Sequence, residues 1–263
     1  MVKDYHIHPQ VVQNPDRFDE FARVAMENEI YEVCITDHMP LAGSDAGDRI
    51  PDGMVREYCF QARKIVQKYE GRLSVKLGIE IDYHPSLTNQ IEEVLKAGDF
   101  DFVLGSSHLH AIKELDIFNV VKSCSRYAEA MLINTISAAE SGYFDAIAHI
   151  DMYNWIFSNP ERFSLADDGF SEQKYDELID RTLDVIKDND LYLEVNPHFA
   201  VAQGNISNVY PSASITERAL DKGINFSYGS DAHIPEDVGV MLGNLRKHKI
   251  YGKALQLWEA DEI

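Results

Sequence analysis

The chain is poor in cysteine, poor in positive charge and lacks any long apolar run, and each scarcity removes a class of protein. Its three cysteines, Cys34, Cys59 and Cys124, are odd in number, have no CxxC spacing and sit in apolar, regular-looking segments. That pattern argues against a disulfide scaffold and a thiolate zinc site, and the three read as reduced core residues. The amino-terminal Met-Val-Lys-Asp-Tyr-His runs straight into a strand-like segment without an apolar signal region, and no stretch reaches the about 18 apolar residues of a membrane span. A cytoplasmic protein with no membrane partner is expected. Lys and Arg number 24 against 44 Asp and Glu, a formal charge of −20, which excludes duplex nucleic acid as a general partner. There is no GxGxxG after the first strand-like segment, no low-complexity run, no internal repeat and no evident linker.

What is present is enough apolar residue, 45% of 263, to bury a core of the size that a single barrel domain of about 250 residues needs. Seven segments read as strands: 4–8, 32–38, 73–82, 101–108, 144–149, 191–196 and 224–233. Between them lie stretches with helical spacing, such as Phe18, Phe21, Ala22 and Ala25, or Leu178, Ile179, Leu183, Val185 and Ile186. Further helices are expected over 54–69, 87–97, 120–141, 212–222 and 236–247, several ending just before a glycine (Gly71, Gly98, Gly142, Gly223) suited to a left-handed cap. Strand and helix thus alternate. With right-handed crossovers this gives an α/β fold, a distorted (β/α)7 TIM-like barrel in one domain, in preference to an open Rossmann-type sheet. Longer loops over 39–51 and 151–171 are expected to shape a pocket.

Nearly every strand-like segment closes on a histidine or carboxylate. The first carries His6 and His8, two apart and therefore on one face of a strand, where both can reach one metal. The others give Thr36-Asp37-His38, Glu80 with Asp82, Ser107-His108, Ala148-His149 and Ser230-Asp231-Ala232-His233. Carboxyl ends of parallel strands converge on one face of such a barrel. So many ionisable groups cannot all be core residues without partners or metals. Imidazole and carboxylate without thiolate favour zinc, manganese or iron in a catalytic rather than a closed structural site. Eight candidate ligands, His6, His8, His38, Glu80, His108, His149, Asp231 and His233, exceed the need of one ion. Two or three divalent ions are expected, with Glu80 on the central strand as the bridge.

This ordered set, from His6-x-His8 to Ser230-Asp231-Ala232-His233, resembles the PHP (polymerase and histidinol phosphatase) family, particularly its stand-alone histidinol-phosphatase branch. The resemblance implies a two- or three-metal site: His6, His8, Glu80 and Asp231 at one ion, Glu80, His108 and His149 at a second, His38 and His233 at a third. It also implies a small phosphorylated substrate, L-histidinol phosphate, hydrolysed by a metal-bridging hydroxide. Two departures stand out. Where the family carries a further histidine for the third ion, this chain has Asn14. The arginines that follow the fifth and sixth motifs in histidinol phosphatases, suited to clamp phosphate, are missing from 149–155 and 196–204. His198, His110 and Lys113 are the substitutes within reach of the motifs. A leaving alkoxide needs a general acid, for which Asp37 and His198 are candidates, Asp37 being equally suited to orient a neighbour. Other phosphoesters (a nucleotide, sugar phosphate or diester), a C–N or ester bond cleaved by an amidohydrolase-like barrel, and a degenerate metal-binding module are the alternative functions.

Overall fold

The computed structural model describes residues 1–41, 47–112, 115–116, 123–153 and 171–261. Seven strands, β1 (Lys3–Ile7), β2 (Glu32–Ile35), β3 (Ser74–Asp82), β4 (Phe102–Ser106), β5 (Ala146–Ile147), β6 (Tyr192–Val195) and β7 (Asn225–Tyr228), pair in chain order, each parallel to the next. The circle is nearly closed beyond β7, where Asp231 N–H donates to the His6 carbonyl at 2.7 Å and His8 N–H to that of Ala232 at 2.8 Å. The chain is thus a seven-stranded parallel α/β barrel in a single domain.

Helices α1 (Phe18–Glu27), α2 (Val55–Tyr69), α3 (Thr88–Ala97), α4 (Cys124–Glu140), α5 (Glu172–Asp188) and α7 (Ala213–Lys222) are those that the apolar spacing predicts. In α1 the buried side chains are Phe18, Phe21, Ala22, Val24 and Ala25, one stripe turned to the sheet. Ser123 and Ser171 start α4 and α5 by accepting the N–H of Arg126 and Lys174. Among the described residues two helices are additional: the short α6 (His198–Gln203) and α9 (Tyr251–Ala260). The single helix expected over 236–247 is instead a 3-10 turn, Pro235–Asp237, followed by α8 (Leu242–Lys247), because Gly239 and Met241 lie at positive φ between them. Gly98 also differs from expectation. It is extended, not left-handed, and is glycine because a Cβ there would stand 2.3 Å from the Phe100 ring.

All the strands but β1, which is displaced by one residue, are shorter than the sequence suggests, and this positions the site. Every ligand candidate except His6 and Glu80 lies just past a strand end, and His149 and Asp231 have φ of 26° and 57°. Non-glycine residues avoid this region unless the surroundings impose it. The turn at each strand end bends the side chain inward over the barrel mouth. At the opposite end the barrel is plugged by aromatics: Tyr5 meets Phe102 and Trp258 edge-on at 5.0 and 4.9 Å, and Tyr192 meets Trp258 at 5.7 Å. A register irregularity in β1 between Asp4 and Ile7 lets Tyr5 reach this plug while His6, next in sequence, reaches the mouth. Cys34 is buried and Cys59 half-buried, both free thiols.

Asp4 ties β1 to the segment after β7, accepting N–H bonds from Ser230 at 2.9 Å and Gly239 at 3.0 Å. Burial pushes its pKa up to about 6, the hydrogen bonds from Ser230 and Gly239 opposing a larger rise. A folded pKa above the unfolded one means stability that is fully present below the unfolded value and lost as pH rises through about 6. In urea titrations of chelator-treated protein, the stability of wild type relative to Asp4→Asn should fall by about 2 kcal/mol between about pH 4.5 and about pH 7.5. A difference that does not change with pH would contradict this origin of the shift.

Candidate metal centre

Glu80, inside the barrel on β3, is wholly buried, and neither carboxylate oxygen has a hydrogen-bond partner. Around it stand five imidazoles. Its Oε2 lies 2.6 Å from His38 Nδ1, 3.4 Å from His6 Nε2 and 3.6 Å from His8 Nε2, and its Oε1 lies 3.3 Å from His149 Nε2 and 3.9 Å from His108 Nδ1. Asp231 closes the other side, with Oδ1 at 3.2 Å from His8 Nε2 and 3.7 Å from His6 Nε2. His233 packs its ring over His8 at 4.3 Å, and His8 in turn stacks on His38 at 4.3 Å. All eight ligand candidates therefore converge.

The donor atoms sort into groups with metal-like spacing. His6, His8 and Glu80 form one, Glu80, His108 and His149 another, and His8, His38 and His233 a third, the donors of each lying within 4.8 Å of one another. His6 Nε2, both ring nitrogens of His8, His38 Nδ1 and both Glu80 oxygens are buried without hydrogen bonds. Such atoms cost several kcal/mol left alone, of the order of 2–7 each, and divalent cations would satisfy them together. The residues present thus fit a cluster of two or three ions.

A second layer of carboxylates fixes these donors. Glu194, on β6, accepts from His6 Nδ1 at 2.5 Å through Oε1, while Oε2 accepts the His149 N–H at 3.0 Å and the Asn196 side chain at 3.1 Å. That leaves His6 Nε2 facing Glu80 and Asp231, the tautomer a metal ligand requires. Gly229 has no side chain because a Cβ there would stand 2.2 Å from His6 Cβ and 2.3 Å from Glu194 Oε1. Asp82 takes His108 Nδ1 at 2.8 Å and is itself paired with the buried Arg49 at 2.5 Å. Asp37 accepts the N–H groups of Gln10 and Val11 at 2.8 and 3.0 Å, holding the loop behind His8.

The electrostatics follow from this carboxylate excess. Burial works against charge on Glu80, yet His38, His6 and His108 hold its pKa well below the carboxylate range. Burial likewise opposes protonation of His6, and Glu194, Asp231 and Glu80 reverse that, holding its pKa well above the imidazole range. His8 goes the other way, lowered by burial and by the facing His38 and His233. Asp37 is pushed up to about 6 by burial, with the Gln10 and Val11 N–H groups limiting the rise. Positive charge, as protons or as cations, is what this carboxylate set demands.

The remaining candidates sit at the rim. His198 starts α6 with Nδ1 on the Asp231 carbonyl at 2.9 Å and its ring 5.5 Å from that of His233. His110 lies beside His108, ring centroids 5.7 Å apart, with Nδ1 3.1 Å from the Tyr127 hydroxyl. Lys113 lies outside the described residues. Asn14 is exposed, and its side chain accepts the Asp16 N–H at 3.2 Å as the cap of a short 3-10 helix. No sequence signal marks Arg49, and the alternation with Asn196 on β6 is the only one for Glu194, whereas Asp82 stands out as the carboxylate two residues after Glu80.

A buried cluster of this composition at the carboxyl ends of a parallel barrel is that of a metal-dependent hydrolase. The chain belongs to the PHP family: residues 4–198 match the PHP domain. It is 30% identical to a "Probable histidinol-phosphatase" of Deinococcus radiodurans over 84% of this chain and 81% of that one. A Clostridium acetobutylicum protein of the same description is 27% identical, covering 94% of this chain and 92% of its own length. Among solved structures, a Listeria monocytogenes protein assigned as the histidinol phosphatase HisK superposes with a TM-score of 0.76 at 20% identity, covering 92% of this chain and 99% of that one. Histidinol phosphate phosphatase of Lactococcus lactis, solved with zinc, L-histidinol and phosphate, gives 0.73 at 16% identity, covering 96% and 93%. These two share the fold. The chain is accordingly a PHP-family, metal-dependent phosphoesterase, and no helix among its described residues is long and apolar enough to cross a membrane.

Glu194 offers a direct test of the second layer. Glu194→Gln should weaken metal binding by about 10–100-fold, since partners that orient ligand histidines carry effects of that size. Competition with a chromogenic chelator measures it, and an unchanged affinity would show that His6 needs no such partner.

Proposed function

We propose that the protein is a histidinol-phosphatase, hydrolysing L-histidinol phosphate to L-histidinol and phosphate with two or three bound zinc, manganese or iron ions. The observation that carries the reading is the buried eight-residue cluster, combined with relatives of that description at 30% and 27% identity over most of both chains. His6, His8, Glu80 and Asp231 would hold one ion, Glu80, His108 and His149 a second, and His38 with His233 a third. Bound there, the ions would supply an activated water and stabilise charge on the phosphoryl oxygens.

The charge balance supports an anionic substrate. Five carboxylates, Glu80, Asp82, Glu194, Asp231 and Asp48, stand within ion-pair distance of the cluster histidines, and Arg49 offsets one of them. Five negative charges less one leaves four. Two divalent ions neutralise that, and three leave a net positive charge even with a bound hydroxide, suited to an anionic phosphomonoester.

The chain's own groups supply orientation and a proton. His198, anchored through Nδ1, keeps Nε2 for the leaving oxygen and is the proposed general acid. Asp37, with both oxygens committed to the loop after β1, is proposed to position His8's loop and not to reach substrate. His110, beside His108, is proposed to line the substrate end of the site.

One observation favours a second reading, a different phosphoester: residues 149–155 and 196–204, which directly follow the fifth and sixth strands, carry no arginine to clamp phosphate. Metal-stripped protein reconstituted separately with manganese, zinc and iron(II) should release phosphate from L-histidinol phosphate with kcat/KM well above that for nucleotides, sugar phosphates and diesters. His6→Ala should abolish it. A different ester heading the panel would replace the substrate, and no release from any ester with any metal would sink the phosphatase reading.

A further inference from the structure

The third ion, as the family pattern provides it, is short of a ligand here, because Asn14 caps a helix at the surface and does not face the cluster. The structure offers a replacement from elsewhere in the chain. Asp48, on the loop between β2 and α2, places Oδ2 3.4 Å from His233 Nε2 and 3.7 Å from His38 Nε2. Two donors each roughly 2.1 Å from one ion, at a tetrahedral angle, stand roughly 3.4 Å apart. Asp48 Oδ2 thus stands from each of the two nitrogens at about the spacing of ligands that share an ion.

The placement of Asp48 is built, not incidental. Arg49, its neighbour, is buried, with Nη1 on Asp82 at 2.5 Å and on the Met39 carbonyl at 3.2 Å. The backbone is pinned beside His38, where Ile50 N–H donates to the His38 carbonyl at 3.0 Å. Asp82 in turn holds His108. One guanidinium therefore links the loop that presents Asp48 to a carboxylate serving a second-ion ligand. His38 itself lies between two carboxylates, Nδ1 facing Glu80 and Nε2 facing Asp48.

We propose that Asp48 is a ligand of the third metal position, which it completes with His38 and His233 in place of the histidine missing at Asn14. The assignment rests on the multi-ion reading of the site given above. Arg49 is a positioning residue for it. An aspartate at this place makes the third position an N2O site, harder than one of three imidazoles and correspondingly more receptive to manganese or iron(II).

The test is metal content, read separately from activity. Stripped protein is reloaded with zinc or manganese alone, and ions per chain are counted by inductively coupled plasma mass spectrometry after gel filtration, with affinities from calorimetric titration. Wild type should hold three ions and Asp48→Asn two, with affinity at the third position lowered about tenfold or more and the first two ions unchanged. Retention of those two also shows that the variant is folded. Three ions bound by Asp48→Asn with unchanged affinity would overturn the proposal, as would two ions in wild type or loss of all ions from the variant. Wild type that binds no ion and cleaves no phosphoester would instead overturn the metal-hydrolase reading on which it rests.

Discussion

One buried carboxylate organises this molecule. Glu80 sits inside the barrel on β3, fully removed from solvent, with no hydrogen bond to either oxygen and five histidines around it. Placed in an apolar interior, such a charge would unfold the protein or take up a proton. Here the surrounding imidazoles arrive from the first, second, fourth and fifth strands, so the barrel must close around Glu80 for any of them to reach it. Burial on one side and ligand geometry on the other fix the same arrangement. The site is therefore a condition of the fold as much as a product of it.

Outside this centre, carboxylates meet the histidines from behind. Glu194 holds His6 and the His149 backbone, Asp82 holds His108 and Arg49, and Asp37 holds the loop after β1. These groups remove the rotational freedom that a ligand cluster would otherwise lose on binding each ion. They also concentrate negative charge in a protein already at −20. An anionic substrate can approach such a centre only when cations reverse the local sign. Acidity of the whole chain and recognition of phosphate are reconciled at one place, by the ions.

Much of this was legible in the sequence. Strand order, the positions of six helices and the convergence of the eight ligand candidates follow from alternation, apolar spacing and residue type, signals that local physics writes along the chain. Strand ends were not legible, because His149 and Asp231 adopt left-handed conformations that only tertiary packing imposes. The break between Pro235–Asp237 and Leu242–Lys247 was hidden because 236–247 carries helical spacing across Gly239. Glu194 and Asp48 meet histidines far away in sequence, where an acidic residue in an acidic chain carries no local mark, and Asp82 stood out as a strand-end carboxylate without its partners His108 and Arg49. The resemblance to PHP proteins supplied the ion grouping, and the loop over 39–51, expected from its length to shape a pocket, brings Asp48 to His38 and His233.

The central claim is that Glu80 lies between divalent ions. Crystals grown in zinc and measured on either side of the zinc absorption edge would locate every bound ion by its anomalous difference density. The account predicts peaks on both sides of the Glu80 carboxylate, one toward His6, His8 and Asp231 and one toward His108 and His149. Density confined to the protein surface, with none beside Glu80, would contradict it.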